Sequence, residues 1–309
     1  MRTLILIPIL LALLAPLTTA EDELPDFDKL WNYAKPAETE KQFRELLPKA
    51  VAAGDLDYEL QLRTQIARTL GMRKKFEEAH KELDEVEKRL TEEVPVAHAR
   101  YLLERGRAFN SSKKKDKARP LFEKAWAVAL KAKADFHAID AAHMIGIVVP
   151  VEEKLAWHEK AMALAEKTED ESARGWLGPL YNNLGWAYFE MKDYEKALEI
   201  HEKGLAYREK VGSEKPILIA RWSVARMLRA LERYDEAMKI QEALLKAYEE
   251  REEEDGFVYE EIAELLLVTK GEGEARPWFK KAWAKLADSW IKDHEPERHA
   301  RLKKLAEAE

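Results

Sequence analysis

Leu180 to Lys210 reads LYNNLGWAYFEMKDYEKALEIHEKGLAYREK. Leu184, Gly185, Tyr188, Tyr194, Ala197 and Leu198 stand where two helices joined by a short turn require residues of fixed size. Small Gly185 and Ala197 let the two axes approach, while the tyrosines fill the space on either side. Pairs of positions with this separation of 12 recur along the chain: Ala67 and Ala79, Gly106 and Ala118, Ala142 and Lys154, Gly185 and Ala197, Ala225 and Ala237, Ala263 and Ala275. Successive units are 36 to 43 residues apart. Only the third pair breaks the size rule, with Lys154 in the place of a small residue and a compressed turn, VVPVEEK.

The same period accounts for a repeated phrase. KARPLFEKAW (Lys117 to Trp126) and EARPWFKKAW (Glu274 to Trp283) share seven of ten residues 157 positions apart, because they are the second helices of the second and sixth units. Their shared prolines, Pro120 and Pro277, are expected in the first turn, where a missing N–H costs little. The template resembles the tetratricopeptide repeat, a helix-turn-helix unit of about 34 residues. Its longer period and the paired asparagines of LYNNLGWAY are similar to the kinesin-light-chain type of that repeat. HEAT or armadillo repeats fit the length but not the small-residue and aromatic spacing. The fold class expected is all-α, a tetratricopeptide-repeat solenoid of antiparallel helix pairs, which in this family winds into a right-handed superhelix.

Composition agrees: 36 % of residues are charged, and Gly and Pro are 12 each among 309, which favours helix. Without cysteine there is neither a disulfide nor a lipobox. The first residues, MRTLILIPILLALLAPLTTA, form a charged start, a short apolar run and small residues before Glu21. That pattern reads as a secretory signal peptide, too short and too proline-broken for a spanning helix of about 20 residues. The expected organisation is a signal peptide over 1–20, an N-terminal capping region over 21–56, six helix pairs over 57–292 and a polar C-terminal capping helix over 293–309. The protein would then be of an exported, bacterial type, periplasmic or secreted. In the N-terminal cap, Phe43, Leu47 and Ala50 take second-helix register, and Pro48 is expected to kink their helix.

The formal net charge is −7. Such a surface gives no reason to expect sequence-independent binding to nucleic acid or to an anionic membrane face. No phosphate-binding loop, dinucleotide fingerprint or nucleophile elbow occurs. His158-Glu159 and His201-Glu202 begin a zinc-protease pattern, but Met162 and Leu205 stand where its second histidine belongs. No enzyme activity, metal or cofactor is expected.

In a stacked array of this kind, the first helix of each unit lines the concave surface. Counting from the small anchors places Arg68, Arg107, His143, Asn182, Asn183, Trp186, Phe189, Trp222, Arg226 and Arg229 on that face. Arginine can grip a carboxylate with two N–H groups, asparagine suits a peptide backbone, and aromatic rings give flat apolar contact. In similar repeat proteins, residues equivalent to Asn183 bind the backbone or terminal carboxylate of a peptide. Glu260, Glu261 and Glu264 make the last unit acidic, so a charge-polarised groove is expected. The function expected is a non-catalytic scaffold that holds a protein or peptide segment, of acidic or carboxylate-bearing kind, in the groove. The alternative is a structural protein assembling into a homo-oligomer through its convex or end surfaces.

Overall fold

The computed structural model describes residues 24–212 and 214–308. The expected signal peptide lies outside the described residues. A short 3-10 turn (Phe27–Leu30) leads into α1 (Pro36–Ala53). The first three pairs are α2 (Leu56–Met72) with α3 (Phe76–Glu87), α4 (Pro95–Ser111) with α5 (Lys115–Lys131), and α6 (Asp135–Val148) with α7 (Val151–Lys167). A one-turn helix, α8 (Glu171–Arg174), separates these from α9 (Leu177–Glu190) with α10 (Tyr194–Val211), α11 (Glu214–Ala230) with α12 (Tyr234–Glu249), and α13 (Gly256–Thr269) with α14 (Glu272–Leu286). The C-terminal cap is α15 (Ile291–His294) and α16 (Pro296–Glu307), the latter packed on α14. Among the described residues there is no strand. Each pair packs on the next, which makes the chain an all-α solenoid.

Local chemistry sets the helix ends. Asp55, Asp193 and Asp255 accept backbone N–H bonds at the starts of α2, α10 and α13 (3.0, 3.1 and 2.8 Å). Pro36, Pro95 and Pro296 open α1, α4 and α16, where their fixed φ suits the first turn. Leaving α2, α4, α9 and α11, the chain passes through Lys74, Lys113, Lys192 and Glu232 with φ of 60 to 63°. The next residue then returns an N–H to a carbonyl five back, as in Asp193 to Tyr188 (3.0 Å). The same turn geometry thus joins the first and second helices of four pairs.

The third pair departs from this. Its turn is Val149 and Pro150, with Val149 extended, so α6 meets α7 without the left-handed residue. His158 of α7 therefore packs against Gly146, one helical turn beyond the expected anchor Ala142. Lys154 turns outward and donates to Glu190 of α9 (2.6 Å).

Two further expectations, on Pro120 with Pro277 and on Leu47, need correction. Pro120 and Pro277 stand at the sixth residue of α5 and α14, past the first turn, so each removes one intrahelical hydrogen bond. Pro48 lies inside a helix that runs from Pro36 to Ala53, so it does not end the helix, and Lys49 and Ala50 continue it. In α1 the buried leucine is Leu46, beside Phe43 and Ala50, with Leu47 at the edge of the core.

Candidate binding groove

The first helices carry carboxylates that are buried and arginines that cover them. From α2, Arg68 Nη1 donates to Glu104 Oε1 of α4 (3.0 Å), which also accepts from Arg107 Nη1 (2.7 Å). Arg107 Nη2 reaches on to Asp140 of α6 (2.5 Å to Oδ2). The side chains of Glu104 and Asp140 are 4 % and 6 % exposed, against 25 % and 17 % for Arg68 and Arg107. Burial alone would raise the Asp140 carboxyl, but the Arg107 charge, with Arg68 behind it, outweighs burial and holds it below the usual range. One turn along α6, His143 Nδ1 accepts from Asn183 Nδ2 of α9 (2.9 Å), and Asn183 Oδ1 faces Asn182 Nδ2 at 3.4 Å.

At the other end, Arg226 and Arg229 of α11 both donate to Glu261 of α13, with Arg229 Nε to Oε2 at 2.7 Å. Glu261 is fully buried. Burial would raise its carboxyl, and the two guanidinium charges outweigh that and lower it. Arg298 of α16 clamps Glu260 (2.6 and 2.8 Å), and Arg301 pairs with Glu264. The acidic triplet of the last unit is therefore neutralised from within, and the expected charge polarity of the groove is corrected accordingly.

Alongside the C-terminal ion cluster a run of rings extends from α9 to Trp290. Trp186 meets Phe189 (5.3 Å between centroids) and Trp222 (6.1 Å), Trp222 meets Phe257 (6.0 Å), and Phe257 meets Trp290 (6.1 Å). Trp222 Nε1 donates to the Phe257 carbonyl (3.1 Å), which fixes its tilt. Arg226 lies 5.8 Å from the Phe189 ring centroid. Trp290, at the C-terminal end of the run, is exposed.

Two hollows flank the Arg68–Glu104–Arg107 chain. The larger, about 570 Å³, is bounded by α2, α4 and α6, by the segment Asp26 to Tyr33, and by Asp170 to Trp176. The smaller, about 190 Å³, lies between α2, α4 and α6 beside Gly71 and Asn110. The N-terminal segment is tied down at three points: Arg100 clamps Asp28, Trp31 Nε1 donates to Gln65 Oε1 (3.1 Å), and Phe27 is buried against Tyr58 (5.0 Å). Arg100 Nε also donates to His137 Nε2 (3.2 Å), and burial together with that charge pushes the imidazole down to about 4.

The ten residues picked from the sequence thus fall into three groups. Arg68 and Arg107, with His143, Asn183 and Asn182 beyond them, form the N-terminal polar chain. Trp186, Phe189 and Trp222 form the aromatic run, and Arg226 and Arg229 the C-terminal ion cluster. The arginines are committed to the chain's own carboxylates. The sequence template missed Trp31, Tyr33, Arg100, Phe257, Trp176 and Trp290, which lie in caps, connectors or other helical registers. The aromatic clustering of WNY at Trp31 to Tyr33 was the one available signal.

Comparison with known proteins gives the class. A sequence model of the tetratricopeptide repeat matches residues 152–210. The chain is similar to the apo form of RapI, at 14 % identity and TM-score 0.69 over 90 % of this chain and 80 % of that one. It is also similar to a signal transduction ATPase with a tetratricopeptide-repeat sensor from Pyrococcus horikoshii, at 16 % identity and TM-score 0.65 over 89 % of this chain and 44 % of that one. A chain of nearly identical TPR-like repeats from Podosopora anserina, described as kinesin light chain, aligns at 22 % identity and TM-score 0.50 over 61 % of this chain and 94 % of that one. No curated protein matches. At these identities the structural likeness is one of fold. Residues 152–210 match the tetratricopeptide repeat in sequence, and the chain as a whole shares the tetratricopeptide-repeat solenoid fold.

Proposed function

We propose that this protein is a non-catalytic scaffold that holds an extended segment of a protein partner along its concave face, outside the cytoplasm. The observation that carries this reading is the arrangement of first helices α9 to α13: a run of partly exposed rings continues into guanidinium groups laid over buried carboxylates. Such a surface offers planar apolar contact and leftover N–H donors, with the groove charges already balanced. Arg226 Nη2 and Arg229 Nη1 have no partner among the described residues, so a backbone carbonyl or a carboxylate can add to them without displacing Glu261. No cofactor enters this function, and no group of three or more potential metal ligands occurs among the described residues.

The test is partner capture by Phe189→Ala and Trp290→Ala variants, each removing a ring from the face while leaving the ion pairs intact. Capture should weaken severalfold with the helical signal unchanged. Undiminished capture by both would sink the reading. The homo-oligomer alternative has less support, because the capping helix α16 exposes Glu297, Lys303 and Lys304 at the end where copies would stack.

A further inference from the structure

Two stretches outside the helix pairs, the N-terminal segment Asp26 to Tyr33 and the connector carrying α8, wall the same hollow of about 570 Å³. A volume of that size belongs to small-ligand sites, which run from about 300 to 1,000 Å³. From its lining we infer that this hollow binds a small carboxylic acid with a flat apolar body, anchored by Arg68. The inference does not depend on a peptide in the groove.

Arg68 uses only Nη1, on Glu104. Its Nε is buried and has no partner, and Nη2 has none among the described residues. Nε and Nη2 form one edge of the guanidinium, the edge that meets both oxygens of a carboxylate. A buried donor left alone costs about 1 to 3 kcal/mol, so an occupied state is favoured. The edge is also held in place: Trp31 and Tyr33 stack on each other (4.7 Å, 6° between planes), and the Arg68 carbon lies 5.9 and 5.7 Å from their centroids.

Across the hollow, Trp176 Nε1 is a second buried donor without a partner. Its ring and that of Phe136, 5.9 Å apart, supply flat wall for a planar body. The two buried carboxylates of the lining are already taken, Glu104 by Arg68 and Arg107 and Asp140 by Arg107; of the exposed ones, Asp28 is held by Arg100, Asp170 accepts from the Ser172 and Ala173 N–H groups, and Asp26 pairs with Lys29. The buried polar atoms of the lining that lack a partner are therefore donors, and the ligand brings acceptors: a carboxylate at Arg68 and a carbonyl, hydroxyl or ring nitrogen toward Trp176. A cation would meet the two open donors with nothing to offer them.

Calorimetric titration of the purified protein with benzoate, indole-3-acetate and 2-naphthoate, each beside its carboxamide and with tryptamine as the cationic control, tests this. At least one acid should bind, with its carboxamide about tenfold weaker or more and tryptamine silent. Arg68→Lys keeps the charge beside Glu104 but loses the two-pronged edge, and it should weaken the acid by about tenfold with an unchanged melting temperature. Trp176→Phe should weaken 6-hydroxy-2-naphthoate, titrated beside the other acids for the hydroxyl acceptor it adds, while leaving benzoate unaffected. The inference is overturned if no acid binds, if tryptamine binds as well as the acids, or if a folded Arg68→Lys protein binds them undiminished.

Discussion

His201 lies directly under Gly185: a Cβ built on the glycine would stand 2.5 Å from the imidazole Nε2, closer than real side chains allow. The α9–α10 contact is thus set by the absence of one carbon. Gly106 over Phe122 and Gly146 over His158 repeat the arrangement, at 2.4 and 2.5 Å.

Gly185→Ala should force the imidazole or the helix axis to shift and destabilise the protein by roughly 1 to 3 kcal/mol. Gly71→Ala, in open space at the end of α2, should be neutral or stabilise by up to about 1 kcal/mol. Thermal melts of the two variants check the pair. Equal melting temperatures would contradict the close approach.

The second helices hold Leu83, Phe122, His158, His201, Gln241 and Phe279 at equivalent buried places, so the third to fifth pairs carry polar groups where the others carry apolar side chains. His158 Nδ1, His201 Nε2 and both polar atoms of Gln241 have no partner. Burial pushes His158 and His201 down to about 4; His143 and Lys154 add to the shift at His158, and for His201 burial acts alone. The unfolded chain, with imidazoles near pKa 6.5, binds protons first, so stability is full above that pH and falls as pH drops toward 4. Between about pH 6.5 and 5 each histidine should remove about 2 kcal/mol. His201→Phe, which reproduces the Gly106–Phe122 contact, should flatten the pH dependence of the melting temperature. A slope unchanged in the double His158→Phe, His201→Phe variant would rule this out.

Glu261 holds Arg226 and Arg229 from beneath. Glu261→Gln leaves two arginines without a counter-charge in a partly buried site and should cost about 3 to 5 kcal/mol, measured by urea unfolding. Because its carboxyl is lowered, this contribution is present above the ordinary glutamate pKa and is lost as pH falls through the folded value. For the same reason Arg226→Glu with Arg229→Glu would crowd three carboxylates together and unfold that region, so it cannot serve as a clean binding test.

The pairing of helices was legible because size rules repeat within each unit: Gly185 needs a small residue whatever the rest of the chain does. Other features were not legible, for identifiable reasons. The shortened Val149–Pro150 turn slid α6 against α7 by one helical turn, so Gly146 took the role expected of Ala142. Arg226 was placed on the first helix by its register, but its partner Glu261 lies 35 positions away in the next unit, beyond what a template for a single unit can show. Trp31 reaches Gln65 and Arg68 from a segment with no period at all, and only the folded chain brings them together.

The proposed export rests on the first 20 residues, whose apolar run is short and broken by Pro8 and Pro16. N-terminal sequencing of the protein recovered outside the cytoplasm should begin at or near Glu21. Full-length chain found only in the cytoplasm would reject it.

The most direct test of the groove is photo-crosslinking in the native setting, with benzoylphenylalanine placed at Phe189 on the inner face or at Lys239 on α12. The account predicts one discrete protein adduct from position 189, competed by the unlabelled protein, and none from position 239. An adduct from position 239 with none from position 189 would contradict it and move the interaction to the convex surface.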